Sequence, residues 1–169
     1  MRRFLWWLSG FLRVREIHVN GALYLERYEL VRCCGWVVYL HRFELPDAEP
    51  WLHDHPWRWA LALPLLGGYL EARLQHLDGY DGPVVRFIER RPWRPYVLRA
   101  HDFHRIEALA RRECWTLFVH SPRFRMWGFL RRLEAGTTAY WQPFQKSRAE
   151  DFPADAPRAR DLRAARARK

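Results

Sequence analysis

Residues 51–74 read WLHDHPWRWALALPLLGGYLEARL. An apolar run of strand length opens with two histidines around an aspartate and closes on the pair Gly67-Gly68, a turn signal. Successive side chains of a β-strand alternate between its two sides, so His53 and His55 project together while Asp54 faces the other way. A strand can offer two imidazoles to one metal ion in this manner. The same letters also read as a polar loop ahead of a core strand, its histidines in ordinary hydrogen bonds. The rest of the chain bears on the choice.

From about residue 22 the punctuation is that of a β protein. Apolar or aromatic runs of strand length recur, among them ALYLERYELV, GWVVYLHRFEL, WRWALALPLL, PVVRFIERRPW and CWTLFVHS. Between them stand turn signals such as Cys34-Gly35, Leu45-Pro46-Asp47, the stretch 78–82 (DGYDG) and Ser121-Pro122. Many short strands with regular turns point to an all-β sandwich or barrel. Residues 20–130 lack long helical periodicity, and no internal repeat is evident. Three segments follow: an N-terminal amphipathic segment over 1–16, a β-barrel domain over 17–147, and a basic Ala/Arg-rich tail, flexible or helical, over 148–169.

Composition bounds the rest. A chain of 169 residues, 49% hydrophobic and 16% aromatic, buries one good core. The formal charge is +10, and residues 157–169 (PRARDLRAARARK), with six basic residues against one aspartate, carry half of it. Lysine occurs only at 146 and 169, so arginine supplies nearly all the charge and nucleic acid is the less favoured partner. The tail has only Leu162 and small alanines to bury and is expected to add little to folding. Cys33, Cys34 and Cys114 make no disulfide framework and no CxxC, which suits a reducing cytoplasm. The stretch FLWWLSGFL is about half the length of a membrane span, and Arg13, Arg15 and Glu16 follow it without a small-residue cleavage site. No span is expected, but a short helix whose Phe4, Trp7, Leu8 and Phe11 side packs on the body or, as the less favoured alternative, rests on a membrane surface. No GxSxG and no phosphate-cradling glycine loop is present.

Position separates the eight histidines. His104, in HDFHRIEAL, directly follows a strand-like segment and stands about fifty residues beyond His55. Neighbouring strands of a closed β-sandwich bring such distant side chains onto one inner surface. His101, three residues earlier, does not share His104's face and is placed at the rim. His41, on the strand before the HDHPW turn, is a further cavity candidate, whereas His120 ends a strand and His18 and His76 look peripheral.

The spacing of His53 and His55, the strand-ending Gly67 and the later His104 resemble the two histidine motifs of the cupin superfamily, whose fold is a double-stranded β-helix. More narrowly, YLHRFELPDAEPWLHDHPW, GGYLE, RAHDFHRIEAL and CWTLFVHSPRFRMWGF are similar to a group of small bacterial and phage cupin-like proteins. The resemblance implies a cupin-type double-stranded β-helix, with His53, His55 and His104 ligating a divalent metal such as Fe, Zn, Ni or Mn. The usual glutamate four or five residues after the second histidine is absent, since Trp59 and Ala60 stand there, and the usual glycine of the second motif is His101. Glu71 is the best substitute ligand, although a solvent-facing position on a hairpin is the role favoured for it. Trp51, Trp57, Trp59 and Tyr69 are either pocket lining for a planar or sugar-like ligand or plain core. Three functions follow: a metal-dependent enzyme on a small molecule, oxygenase-like or isomerase-like; a non-catalytic small-ligand-binding module; or a nucleic-acid-associated protein using its tail. A homodimer is compatible with each.

Overall fold

The computed structural model describes residues 1–78, 82–132, 139–144 and 155–168. The centre of the expected 78–82 turn and the start of the tail, through residue 154, lie outside the described residues. A helix α1 (Arg2–Gly10) is followed by strands β1 (Arg13–Val19), β2 (Ala22–Cys33), β3 (Trp36–Phe43), β4 (Leu52–His53), β5 (Trp59–Leu66), β6 (Tyr69–Asp78), β7 (Gly82–Arg90), β8 (Tyr96–Arg99), β9 (His104–Leu109), β10 (Cys114–His120), β11 (Gly128–Arg132) and β12 (Ala139–Pro143), then by helix α2 (Ala159–Arg166). The strands form two six-stranded antiparallel sheets, ordered β1-β2-β3-β10-β5-β8 and β12-β11-β4-β9-β6-β7. The sheet character starts earlier than residue 22, because β1 begins at Arg13. Of its side chains only Val14 is buried, so charges hide its strand pattern.

Period-two alternation sets the layers. In β3, Val37, Tyr39, His41 and Phe43 face inward, Val37 and Tyr39 packing with Ala60, Ala62, Leu98 and Phe118. Phe43 joins Leu25, Tyr69, Ile106 and Cys114, a cluster with residues from both sheets. The opposite side of β3 presents Leu40, buried with Tyr28, Val14 and Trp115 beneath α1 and α2. A strand covered on both sides reads as a continuous apolar run, which is why WVVYLHRF and CWTLFVH lack clean alternation. The chain passes from the first sheet to the second at Gly67 and Gly68, whose φ of +85° and +118° exclude most side chains. A Cβ at Gly67 would also collide with the carbonyl oxygen of Glu113.

The two ends of the chain correct two expectations. The α1 residues that go inside are Leu5, Ser9 and Gly10, while Phe4, Trp7 and Phe11 of the expected packing side are exposed. The tail, expected to add little, docks. Val14 donates to the carbonyl of Pro157 at 2.9 Å and Ala159 to that of Leu12 at 3.0 Å, and Ala159 and Leu162 join the cluster of Leu5 and Tyr28. The Arg163 guanidinium lies 3.4 Å from the Trp6 ring centroid and donates to Ser9 Oγ at 2.8 Å, Tyr28 Oη at 3.1 Å and the Trp6 carbonyl at 2.9 Å. The tail thus anchors through an arginine rather than through apolar side chains. All three cysteines are free, Cys33 and Cys34 exposed and Cys114 buried. Among the described residues no helix is long and apolar enough to cross a membrane.

Truncation after Ala156 is therefore expected to lower the melting temperature by about 5–10 °C, from a loss of about 2–3 kcal/mol in a chain of this size. Arg163→Ala alone should account for a third or more of that drop. A truncated chain melting within a degree of the full one in a calorimetric scan would show that the α1–α2 contact is energetically idle.

Candidate metal centre

Strand register assembles the site. On the inner surface of the second sheet, His53 of β4 pairs with His104 of β9, His104 with Arg73 of β6, and Phe129 of β11 with His53. Directly opposed residues share a side of the sheet, so the two imidazoles stand beside each other. Their ring centroids are 4.9 Å apart. Regular strand geometry ends at His53, yet His55, in the loop after β4, still reaches the same space, with ring centroids 5.2 Å from His53 and 5.0 Å from His104. One ring nitrogen from each of His53, His55 and His104 lies within 4.8 Å of the others. Nε2 of His55 and Nε2 of His104 are 2.7 Å apart, a hydrogen bond in which one donates to the other. With imidazole–metal bonds of about 2.1 Å, two cis ligands stand about 3.0 Å apart around an octahedral ion and about 3.4 Å apart around a tetrahedral one. For the His55–His104 pair, opening by a few tenths of an ångström and transfer of the shared proton to the donor ring's other nitrogen convert the one arrangement into the other.

Asp54 explains why an aspartate separates the two histidines. It points away from them and is 1% exposed, in the opposite sense from a loop residue. Its Oδ1 accepts from Gly128 N at 2.7 Å, and its Oδ2 from Arg125 Nη2 at 2.7 Å and Trp141 Nε1 at 3.0 Å. Its own N–H donates to the Gly128 carbonyl at 3.1 Å, which ties the loop to the start of β11. Burial pushes the Asp54 carboxyl up, against the downward pull of the Gly128 N–H, Arg125 and Trp141.

Glu71 is neither solvent-facing nor within the imidazole cluster. It is fully buried, and its Oε1 lies 3.0 Å from Nδ1 of His104, although that ring does not aim its Nδ1 squarely at the oxygen. Arg73 Nε donates to Oε1 at 3.0 Å and Arg90 Nε to Oε2. Burial alone would raise the Glu71 pKa; His104, Arg90 and Arg73 instead hold it at about 2. A carboxylate against the far nitrogen of a ligating histidine fixes the ring and its tautomer. On the other flank, Asp47 Oδ2 is 3.8 Å from Nδ1 of His53 while accepting from Ile106 N at 2.7 Å. Burial first, with His104 second among the lowering causes, takes His53 down to about 4, and burial with His104 and His53 takes His55 well below the ordinary value. Both rings are neutral at physiological pH, the form in which imidazole binds metals.

The other candidates divide. His41 is buried, stacked on Phe118 and Tyr39, and its Nε2 accepts from Arg27 Nε at 3.2 Å; it is interior but outside the cluster. Trp57 stacks on His55 at 5.0 Å, and Tyr69 is buried with its hydroxyl against that of Tyr96. His101 is exposed in the turn before β9, and His18 and His76 are exposed as well. Trp59, the outward neighbour in the alternation, is 39% exposed and does not line the interior. Arg73 and Arg90 escaped the sequence reading, although Tyr69, Glu71 and Arg73 share one side by period two. Asp47 had only its turn signal.

No protein-family model matches the chain, and no curated protein does. Among solved structures, Fe(II)-HppE with the alternative substrate (S)-1-HPP is similar at 10% identity and a TM-score of 0.51, over 64% of this chain and 55% of that one. FeII HppE with substrate in form 2 gives 10% identity and a TM-score of 0.50, over 64% and 56%. A cupin superfamily protein from Desulfitobacterium hafniense DCB-2 gives 16% identity and a TM-score of 0.43, over 68% and 87%. The chain thus spans about half the length of the HppE enzymes it matches. Identities this low carry the fold alone, and the fold is the cupin-type double-stranded β-helix.

Two interior histidines outside the cluster set a pH dependence. Burial, then Arg27 and His120, push His41 well below 6.5; burial, then Arg27 and Arg123 among other arginines, take His120 to about 4. Folded values below the unfolded one mean that the unfolded chain takes up protons first as pH falls. Stability is therefore complete above about 6.5 and declines between about 6.5 and 4. Urea midpoints should fall steadily across that window, and His120→Asn should remove roughly 2 kcal/mol of the decline. A variant whose pH profile parallels the wild type would show that His120 does not titrate as its surroundings dictate.

Proposed function

We propose that the chain is a metal-dependent enzyme acting on a small molecule, with His53, His55 and His104 holding one divalent ion. The observation that carries this is the convergence of three ring nitrogens within 4.8 Å inside a barrel whose desolvation keeps His53 and His55 neutral. Three neutral imidazoles leave the ion's full charge and up to three positions open, which supports oxygenase-like chemistry on Fe and polarisation of a carbonyl or hydroxyl, as in an isomerase, on Zn, Ni or Mn. The chain's own residues do the remaining work. Glu71 fixes the His104 ring, Asp54 pins the loop that presents His55, and Trp57 and Phe118 keep water from the walls.

A non-catalytic binding module is the second reading, and the 2.7 Å contact between His55 and His104 favours it, since the pair is satisfied without an ion. The nucleic-acid reading loses ground for a structural reason. Arg163 is engaged with Trp6, Ser9 and Tyr28, and Arg166 pairs with Glu16, so part of the tail's charge faces the body.

Metal analysis of the purified chain should find about one equivalent of a first-row divalent ion, and metal-free protein should take up Fe(II), Zn, Ni or Mn in the same ratio. Alanine at 53, 55 or 104 should each abolish stoichiometric uptake. Glu71→Gln should weaken it about 10- to 100-fold, and His18→Ala and His76→Ala should leave it unchanged. Failure to take up any of the four ions above pH 6.5, where His53 and His55 are neutral, would remove the enzyme reading and leave the binding module.

A further inference from the structure

A second feature lies behind Trp57. A cavity of about 210 Å³ is lined by Arg27, Arg32, Arg123, Tyr39, Trp57 and His120, with Gly35, Val37 and Pro122 completing the wall. Among the described residues three of those lining it are arginines, and none carries a carboxylate. Arg32 is answered by Glu29 at 2.6 Å. Arg27 has no such answer: among the described residues its contacts are the neutral Nε2 of His41 at 3.2 Å and the Tyr39 ring at 5.1 Å. Burial, and more weakly Arg15 and Arg123, pull its pKa below the usual guanidinium value, although Tyr39 and Tyr24 oppose them. A half-buried guanidinium with no carboxylate partner among the described residues is costly, and an anion bound beside it offsets the cost.

Trp57 adds an independent sign. It is 8% exposed, and its buried indole Nε1 has no hydrogen-bond partner. Native interiors rarely leave such a donor unsatisfied without a ligand or water to take it. Trp57 also stacks on both His120, at 4.3 Å, and His55, at 5.0 Å, so one wall of the cavity is the back of the histidine cluster. Pro122 and Arg123 are exposed, which puts the mouth at the loop after β10.

We infer that this cavity receives the anionic end, carboxylate or phosphoryl, of a small organic ligand, with Arg27 and Arg123 as its cationic contacts and Trp57 as a stacking wall. This deepens the proposed function by naming a substrate class, and it rests on that reading only in calling the ligand a substrate. The cavity is smaller than the roughly 300–1,000 Å³ of drug-sized sites, so a single ring or a short chain bearing one charged group suits it. Guanidinium forks are matched to planar carboxylate and to phosphoryl oxygens alike.

Calorimetric titration of metal-free protein with benzoate, phenyl phosphate and the uncharged benzamide tests this. At least one anion should bind saturably in the micromolar to millimolar range, and benzamide at least about tenfold more weakly. The preferred anion identifies the charged group as carboxylate or phosphoryl. Arg123→Gln, at an exposed position in the loop after β10, should weaken the preferred anion roughly 10-fold, and Arg27→Gln roughly 10- to 100-fold, with circular dichroism confirming the fold of both variants. Absence of saturable binding by either anion, equal binding of benzamide, or an affinity unmoved by Arg123→Gln would each overturn the inference. Because no metal is present in these titrations, a negative result counts against the cavity, whereas failed metal uptake counts against the ion site.

Discussion

The buried carboxylate of Asp54 is the constraint on which the presentation of the histidines depends. A loop residue with no ladder partners of its own would ordinarily drift, yet Asp54 is held by Gly128, Arg125 and Trp141, elements far along the chain. The same Arg125 reaches the carbonyls of His55 and Ala100, so one guanidinium ties the loop to the turn that follows β8. An aspartate taken out of water needs such a set of donors, and once they are supplied its position is fixed to within a hydrogen-bond length. His53 and His55 flank it, so their direction follows from where Asp54 is anchored.

Glu71 plays the corresponding role from the other side. It gathers Arg73 from its own strand, Arg90 from β7 and His104 from β9, so one carboxylate braces three adjacent strands of the second sheet. Removing one member leaves the others buried and uncompensated, and a network of this kind specifies one arrangement more than it stabilises the chain. Tyr96 lies across from it, its ring 3.9 Å from the Arg90 guanidinium and its hydroxyl against Tyr69. The two sheets therefore meet at this end through polar and cation–π contacts, and through Phe43, Ile106 and Cys114 deeper inside.

Much of this was legible in the letters. Turn signals and strand-length runs gave the all-β architecture, and the i, i+2 spacing of His53 and His55 predicted a shared side, which the structure shows even though β4 stops at His53. His104 was singled out by its place after a strand and by the resemblance of its motif, and the structure puts its ring 4.9 Å from that of His53. What the letters hid has a physical reason in each case. The position of Glu71 depends on which sheet surface β6 presents inward, and alternation alone does not orient a strand. The tail has almost no apolar side chains, and hydrophobicity rules miss a helix that docks through the flat face of Arg163 against Trp6. The α1 face was misassigned because an aromatic stripe marks a buried side only when another element arrives to cover it. Here α2 covers the Leu5 and Ser9 side instead.

The interior is also electrically divided. Around His53 and His104 stand the carboxylates of Asp47 and Glu71, which favour a cation between the rings. Beyond Trp57, Arg27, Arg32 and Arg123 line a cavity with no carboxylate among its described lining residues, which favours an anion. The stacked rings of His55, Trp57 and His120 stand between the two regions, with successive centroids 5.0 and 4.3 Å apart. Charges separated by so thin and poorly polarisable a partition act on one another more strongly than they would through water. On the proposed readings, a ligand entering by the loop after β10 would leave its charged group among the arginines and turn its uncharged part toward the histidines. An ion in the cluster and an anion in the cavity would then each raise the affinity for the other, by the same factor.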